Sequence, residues 1–107
     1  MAVYKVLGQV NPSATTETDL YTAASQAVVS TIAICNQASS AATYRIVVRP
    51  AADSSTTAKH YIVYGATVAA SDSTMLTIGI TLAANDLIRV YASSANLSFS
   101  AFGSEIS

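Results

Sequence analysis

Hydrophobic positions recur along this chain with a period of two rather than 3.6. The clearest segment is 44–49. Tyr44, Ile46 and Val48 fall on one side and Arg45, Val47 and Arg49 on the other, the pattern of a half-buried strand. Pro50 predicts its end, because proline cannot donate to a strand ladder. Segment 28–35 is β-branched on both sides and predicts a central strand. Val28, Ile32 and Ile34 share one face with Ser30, and Val29, Thr31, Ala33 and Cys35 share the other. The same test predicts strands over 3–10, 60–64, 74–82, 87–92 and 96–102, with a weaker one at 20–22. In 3–10, Tyr4, Val6 and Val10 lie opposite Lys5 and Gln9, and Gly8 predicts a bulge.

Turn-forming residues separate these runs. Asn11-Pro12-Ser13 opens a loop to about Asp19, 37–42 is a small-residue connection, and 70–73 and 83–86 are compact turns. Segment 50–59 is the longest polar excursion, with Asp53-Ser54-Ser55 at its tip. Alanines at 23–27 favour a helical turn locally, but the β-branched run after them favours strand. The expected architecture is all-β: a single antiparallel β-sandwich over 1–107, jelly-roll or Ig-like, with seven or eight strands. Its expected core is Val6, Val28, Ile32, Ile34, Tyr44, Ile46, Val48, Leu76, Ile78, Ile80, Ile88, Val90, Leu97 and Phe99.

Composition narrows the chemistry. The 107 residues are 51% hydrophobic and only 10% charged, with a net charge of -1. A usual charged share is about 25%, so the chain is no charge-rich disordered segment, and nothing in it attracts nucleic acid by bulk electrostatics. One cysteine, Cys35, cannot form an intrachain disulfide; inside its apolar run it reads as a small hydrophobe. A single histidine among distant carboxylates offers no metal set. The first six residues carry no apolar stretch of signal-peptide type, and no run approaches the length of a membrane span. His60 reads as an exposed histidine at the start of a strand. No Gly-x-Ser-x-Gly elbow or glycine-rich phosphate loop occurs. The expectation is a protein without enzymatic activity, cofactor or metal.

The arginines are the more informative residues. Arg45, Arg49 and Arg89 all point away from the predicted core, Arg45 and Arg49 on the same face. Arginine is enriched at interfaces, and charge is otherwise scarce here. Together with Tyr61, Tyr64 and Tyr91 these residues form a candidate partner surface, a solvated sheet face being the plainer alternative. Mixed arginine and tyrosine on strands also suits stacking on RNA bases, against which the charge balance argues.

Four stretches carry a family resemblance: the opening 1–16, MAVYKVLGQVNPSATT; the central 41–51, AATYRIVVRPA; His60-Tyr61-Ile62-Val63-Tyr64 with 77–82, TIGITL; and Val90-Tyr91-Ala92-Ser93 with Asn96-Leu97-Ser98-Phe99. Together they resemble small virion structural proteins of tailed bacteriophages, including phages of cyanobacteria. The resemblance implies a β-sandwich that decorates or cements the capsid exterior, bound to the major capsid protein and often a homotrimer, after synthesis in the host cytoplasm. It implies no small-molecule substrate, no direct nucleic-acid contact and no membrane. A tail, neck or baseplate component is the alternative within the virion, and a carbohydrate- or cell-surface-binding module the alternative outside it.

Overall fold

The alternating segments form eight strands in a computed structural model that describes residues 2–106; the ends of the expected 1–107 span, Met1 and Ser107, lie outside the described residues. The strands are β1 (Ala2–Val10), β2 (Thr18–Thr22), β3 (Gln26–Asn36), β4 (Ala42–Arg49), β5 (Tyr61–Val68), β6 (Ser73–Leu82), β7 (Leu87–Ala92) and β8 (Leu97–Ile106), with one 3-10 turn, Ala58–His60, ahead of β5. They build two four-stranded antiparallel sheets, β1-β8-β3-β6 (sheet 1) and β2-β7-β4-β5 (sheet 2). The alanines before β3 form a bend, not a helix.

One rule generates most of this pairing. Ala2 lies opposite Ile106, Thr18 opposite Val90, Ala27 opposite Leu82 and Ala42 opposite Val68. In every such pair of β1 with β8, β2 with β7, β3 with β6 and β4 with β5, the two residue numbers add to 108, 109 or 110. The chain is therefore one long antiparallel hairpin. Its tip falls at Ser54-Ser55, within the predicted polar excursion. The hairpin is then rolled so that β3 meets β8 and β4 meets β7. Eight strands in this order make a jelly roll, one of the two expected topologies.

The drift from 108 to 110 records β-bulges, which place one extra residue in one strand of a pair. Leu7 is extra in β1, and Ser30 in β3, relative to β8; the two bulges flank Phe102, Leu7 on its Ala101 side and Ser30 on its Gly103 side. They correct two expected core positions. The Ser30 bulge reverses the facing of β3, so Ala27 and Val29 point inward with Ile32, Ile34 and Asn36, while Val28 is half-buried on the outer face. The Leu7 bulge does the same in β1: Leu7 and Val10 pack against the core, and Val6 is 50% exposed.

The rest of the expected core lies between the sheets. Ile32, Ile34, Tyr44, Ile46, Ile80, Ile88, Val90, Leu97 and Phe99 are buried, and Val48, Leu76 and Ile78 pack against them half-buried. Tyr44 meets Phe99 edge to face at 6.1 Å. Each large buried side chain contributes about 1.5–3 kcal/mol. Small residues at Ala23, Ala27, Ala42, Ala92 and Ala101 let the sheets close over the larger ones. The core also holds a polar side chain, Asn36. Its amide donates to the carbonyls of Ser40 (2.9 Å), Val68 (3.2 Å) and Ala69 (3.2 Å), and its oxygen accepts from Ala38 N–H (2.9 Å). It thereby ties the end of β3 to the end of β5 in the other sheet.

Two glycines sit where backbone presses on backbone. A Cβ on Gly8 would collide with the Leu20 carbonyl of β2, where the two sheets close together, and one on Gly103 would collide with Val28 at the bulge. Gly79 faces open space. Gly8→Ala is therefore expected to cost at least about 2 kcal/mol, and Gly79→Ala to stay within about 0.5 kcal/mol. Urea unfolding of the two variants checks this contrast; equal midpoints would contradict the close approach.

Candidate functional site

Sheet 2 positions the candidate arginine–tyrosine surface. Tyr91 of β7 and Tyr64 of β5 are the cross-strand partners of Arg45 on β4, one on each side. The guanidinium carbon of Arg45 lies 4.3 Å from the ring centroid of each tyrosine, a double cation–π arrangement. Tyr61 joins the same face, meeting Tyr64 edge to face at 4.9 Å. Residues three apart on a regular strand point to opposite faces. Here the register of β5 shifts near Gly65, at φ 79°, and again near Ile62, which brings Tyr61 and Tyr64 together. Beside Tyr64 and Tyr61 opens a hollow of about 570 Å³, lined also by Thr56, Thr57 and Ala58. Tyr64 is 66% exposed.

Arg49 and Arg89 occupy the same face and do something different. Arg89 Nη1 lies 3.0 Å from Glu17 Oε2, and its Nη2 donates to the Glu17 carbonyl at 3.2 Å. Asp19 Oδ1 lies 2.8 Å from Arg89 Nε but off the N–H direction, so it supplies charge rather than a directed hydrogen bond. Arg49 Nη1 donates to Thr56 Oγ1 at 3.2 Å, and the Thr56 hydroxyl donates to Glu17 Oε2 at 2.7 Å. The buried Nε of Arg49 has no partner. This network ropes the loop before β2 and the hairpin tip over β4 and helps bury Val47, which is 0% exposed despite pointing away from the main core. The three arginines thus share a face, while Arg45 alone stands clear of the network.

His60 is 3% exposed and belongs to the 3-10 turn, correcting its expected place on the surface. Its Nδ1 accepts the Thr57 N–H at 2.9 Å, so Nε2 carries the proton and donates to Asp53 Oδ2 at 2.8 Å. The Thr57 hydroxyl, 3.4 Å from that same Nδ1, finds its lone pair already taken. The arrangement closes the hairpin tip and leaves no nitrogen free to activate a hydroxyl. Asp53 lies seven residues upstream within the same loop, a spacing that gave no sign of the contact. Cys35, read as a small hydrophobe in an apolar run, is exposed on the outer side of β3. Among the described residues no group of three or more His, Cys, Asp or Glu could hold a metal ion. Among the same residues no helix is long and apolar enough to cross a membrane.

The outer face of sheet 1 was not singled out by the sequence pattern. Its cross-strand rows read Tyr4–Ser104–Val28–Thr81, Val6–Phe102–Thr31–Thr77 and Gln9–Ser100–Ala33–Met75. None of the five lysines and arginines or six acids of the chain falls in these rows. Tyr4 is 85% exposed, Met75 63% and Val6 50%. The charges carried by β1 and β8 lie on the opposite side. Glu105 Oε1 is 2.7 Å from Lys5 Nζ, and its Oε2 accepts from the buried Tyr21 hydroxyl of β2 at 2.5 Å, bridging the two sheets.

No protein-family model matches the chain, and no curated protein matches its sequence.

The ion pairs fix the dependence of stability on pH. The hydrogen bonds from Lys5 and then Tyr21 hold the Glu105 carboxyl below its ordinary pKa, and that from His60 lowers Asp53. Burial, followed by the bond to Glu105, pushes the Tyr21 phenol up. A carboxylate with a lowered folded pKa contributes stability above its unfolded value, about 4, and loses it as pH falls through the folded value. A phenol with a raised folded pKa contributes below its unfolded value, about 10, and loses that contribution as pH rises further. Thermal midpoints should therefore fall on both sides of a neutral plateau. Asp53→Asn should flatten the acid side alone, and Tyr21→Phe the alkaline side most; unchanged limbs in both variants would contradict these assignments.

Proposed function

We propose that this chain is a structural protein of a bacteriophage virion, a decoration or cement subunit that binds the major capsid shell and stabilises it. The observation that carries the reading is the uncharged outer face of sheet 1, with Tyr4, Val6 and Met75 bare to solvent. Apolar side chains gathered on a face without charge suit burial against another protein. The four sequence stretches that resemble phage virion proteins support the same reading. The jelly roll agrees with it without selecting it, because the fold recurs in viral shells, lectins and cupins alike.

Cementing requires no reaction chemistry. It requires many simultaneous contacts, and repetition over a particle makes weak single contacts strong together. A subunit that binds only the assembled shell stabilises that state by mass action. In this reading the protein works on the virion exterior, copies of it pack together as a homotrimer, and it touches neither nucleic acid nor membrane. Tail, neck or baseplate placement is the alternative. The carbohydrate-binding alternative has less support: in the tyrosine cluster of sheet 2, Tyr61 and Tyr64 meet edge to face and Arg45 occupies a face of Tyr64, an arrangement unlike a flat platform for a sugar ring.

Co-sedimentation tests the reading, with heads and tails of the encoding phage from which the protein has been depleted. Saturable binding to heads, at a stoichiometry near that of the shell protein, is expected. Met75→Glu combined with Val6→Lys should abolish it while moving the stability of the free protein by no more than about 1 kcal/mol, since both side chains are at least half exposed. Binding to tails alone, or a few copies per particle, would favour the alternative placement.

A further inference from the structure

We propose that Arg45, clamped between Tyr64 and Tyr91, is a preformed receptor for a carboxylate on an acidic segment of a different protein. A complete inventory of charge within the described residues carries this inference. All six acids hold bonds inside their own subunit. Glu17 and Asp19 pair with Arg89, Asp53 with His60, and Glu105 with Lys5, while Asp72 accepts the Ser73 N–H and Asp86 those of Ala83 and Ala51. Four of the five cationic side chains are bonded as well: Lys5 and Arg89 as above, Lys59 at 3.7 Å from Asp53, and Arg49 to Thr56. Arg45 is the remaining one. Among the described residues it has neither an ion pair nor a hydrogen bond through its guanidinium, only the two rings.

The rings decide what Arg45 can still do. They flank the guanidinium on two sides and fix its rotamer before any partner arrives, which lowers the ordering cost of binding. What stays open is the edge of the planar group, a fork of N–H donors that matches a carboxylate with two parallel hydrogen bonds. The hollow beside Tyr64 gives the flanking peptide somewhere to lie. Nucleic acid fits less well. One unpaired cation neutralises few phosphates, and the tyrosine faces that would stack on bases already hold the arginine. A second copy of the chain fits poorly too, because all six of its acidic side chains are engaged. This inference does not depend on the virion reading. It concerns the opposite face of the sandwich, and its test needs no particle.

The test follows the Arg45 side-chain Nε–H signal of ¹⁵N-labelled protein by NMR during titration with a capped peptide of alternating glutamate and serine. Parallel titrations use the glutamine version of the peptide, inorganic phosphate and a short oligothymidylate. A saturable shift of the Arg45 signal with the glutamate peptide alone is expected. Arg45→Gln should weaken that binding, read from the backbone amides of Tyr64 and Tyr91, by about tenfold or more, and Arg45→Lys should not restore it. Tyr64→Ala, which keeps the charge but opens the clamp, should weaken it severalfold. The backbone spectrum of each variant reports whether it remains folded. No saturable shift at millimolar glutamate peptide, or an equal response to the glutamine peptide, overturns the proposal. Tighter binding of phosphate or oligothymidylate than of the peptide also overturns it, as does a change in self-association of Arg45→Gln by sedimentation velocity.

Discussion

The hairpin rule constrains everything else in this structure. When every pair of residues across the long hairpin must add to nearly the same number, an extra residue in one strand has to be absorbed locally or the register fails along the whole length. The bulges at Leu7 and Ser30 are such absorptions, and they flank Phe102 of β8, the strand between their own: Leu7 lies across the Ala101–Phe102 step and Ser30 across the Phe102–Gly103 step. Gly103 belongs there because Val28 leaves no room for a Cβ. A register slip of one residue would turn a strand's core side chains to solvent. The buried row of Ile32, Ile34, Phe99 and Leu97 therefore penalises a slip in β3 or β8 most heavily. The remote ends of the hairpin are also tied by side chains: Tyr21 and Lys5 converge on Glu105 near the open end, and Asp53 holds His60 at the tip.

This arrangement divides the surface by chemistry. Outward positions of sheet 2 carry Arg45, Arg49 and Arg89, and two of these hold the loops before β2 and after β4 in place. Outward positions of sheet 1 carry hydroxyls, small residues and a few bare apolar groups. The division follows from the sequence. Of the eleven charged residues, only Lys5 and Glu105 lie on strands of sheet 1, and the parity of β1 and β8 turns both toward sheet 2. An arginine buried against a sheet face needs partners for all its donors, and the unpartnered Nε of Arg49 shows how far that demand is met here. Arg45 avoids it by exchanging hydrogen bonds for two aromatic faces.

Much of the fold was legible in the sequence because burial in a sandwich writes a period-two pattern. The strands at 44–49, 74–82 and 87–92, the turns at 70–73 and 83–86 and the loop tip at 53–55 all correspond to the structure within a residue or two. What stayed hidden was whatever a bulge decides. Nothing in Val28-Val29-Ser30-Thr31-Ile32 marks Ser30 as the extra residue, so simple alternation assigned Val28 to the core in place of Val29. Gly8 did signal irregularity, yet it could not tell which neighbouring side chain would lose its inward place, and Val6 was the one. Tyr61 and Tyr64 share a face only through the register shifts of β5. His60 was misplaced for another reason: its partner Asp53 comes from the same loop, and a sequence pattern carries no information on how a loop folds back.

The margins of sheet 1 bear on assembly. β6 is one edge of that sheet, and its ten residues include neither a charge nor a proline. Free edges are ordinarily blunted by one or the other, because a bare ladder templates pairing with any other strand. Both edges carry a register irregularity, at Leu7 in β1 and between Thr77 and Ile80 in β6, but only β1 adds a charge, Lys5, against such pairing. The uncharged edge carries Met75 of the uncharged face. A single docking event along β6 would therefore cover a free ladder and Met75 together, whereas docking on sheet 2 would meet charge and closed loops. On the proposed reading, contacts between copies or with the shell would then begin at β6 and spread across the Thr and Ser rows. The low charge of the chain then serves this face, since a charge placed there would have to be stripped of water each time a copy is added.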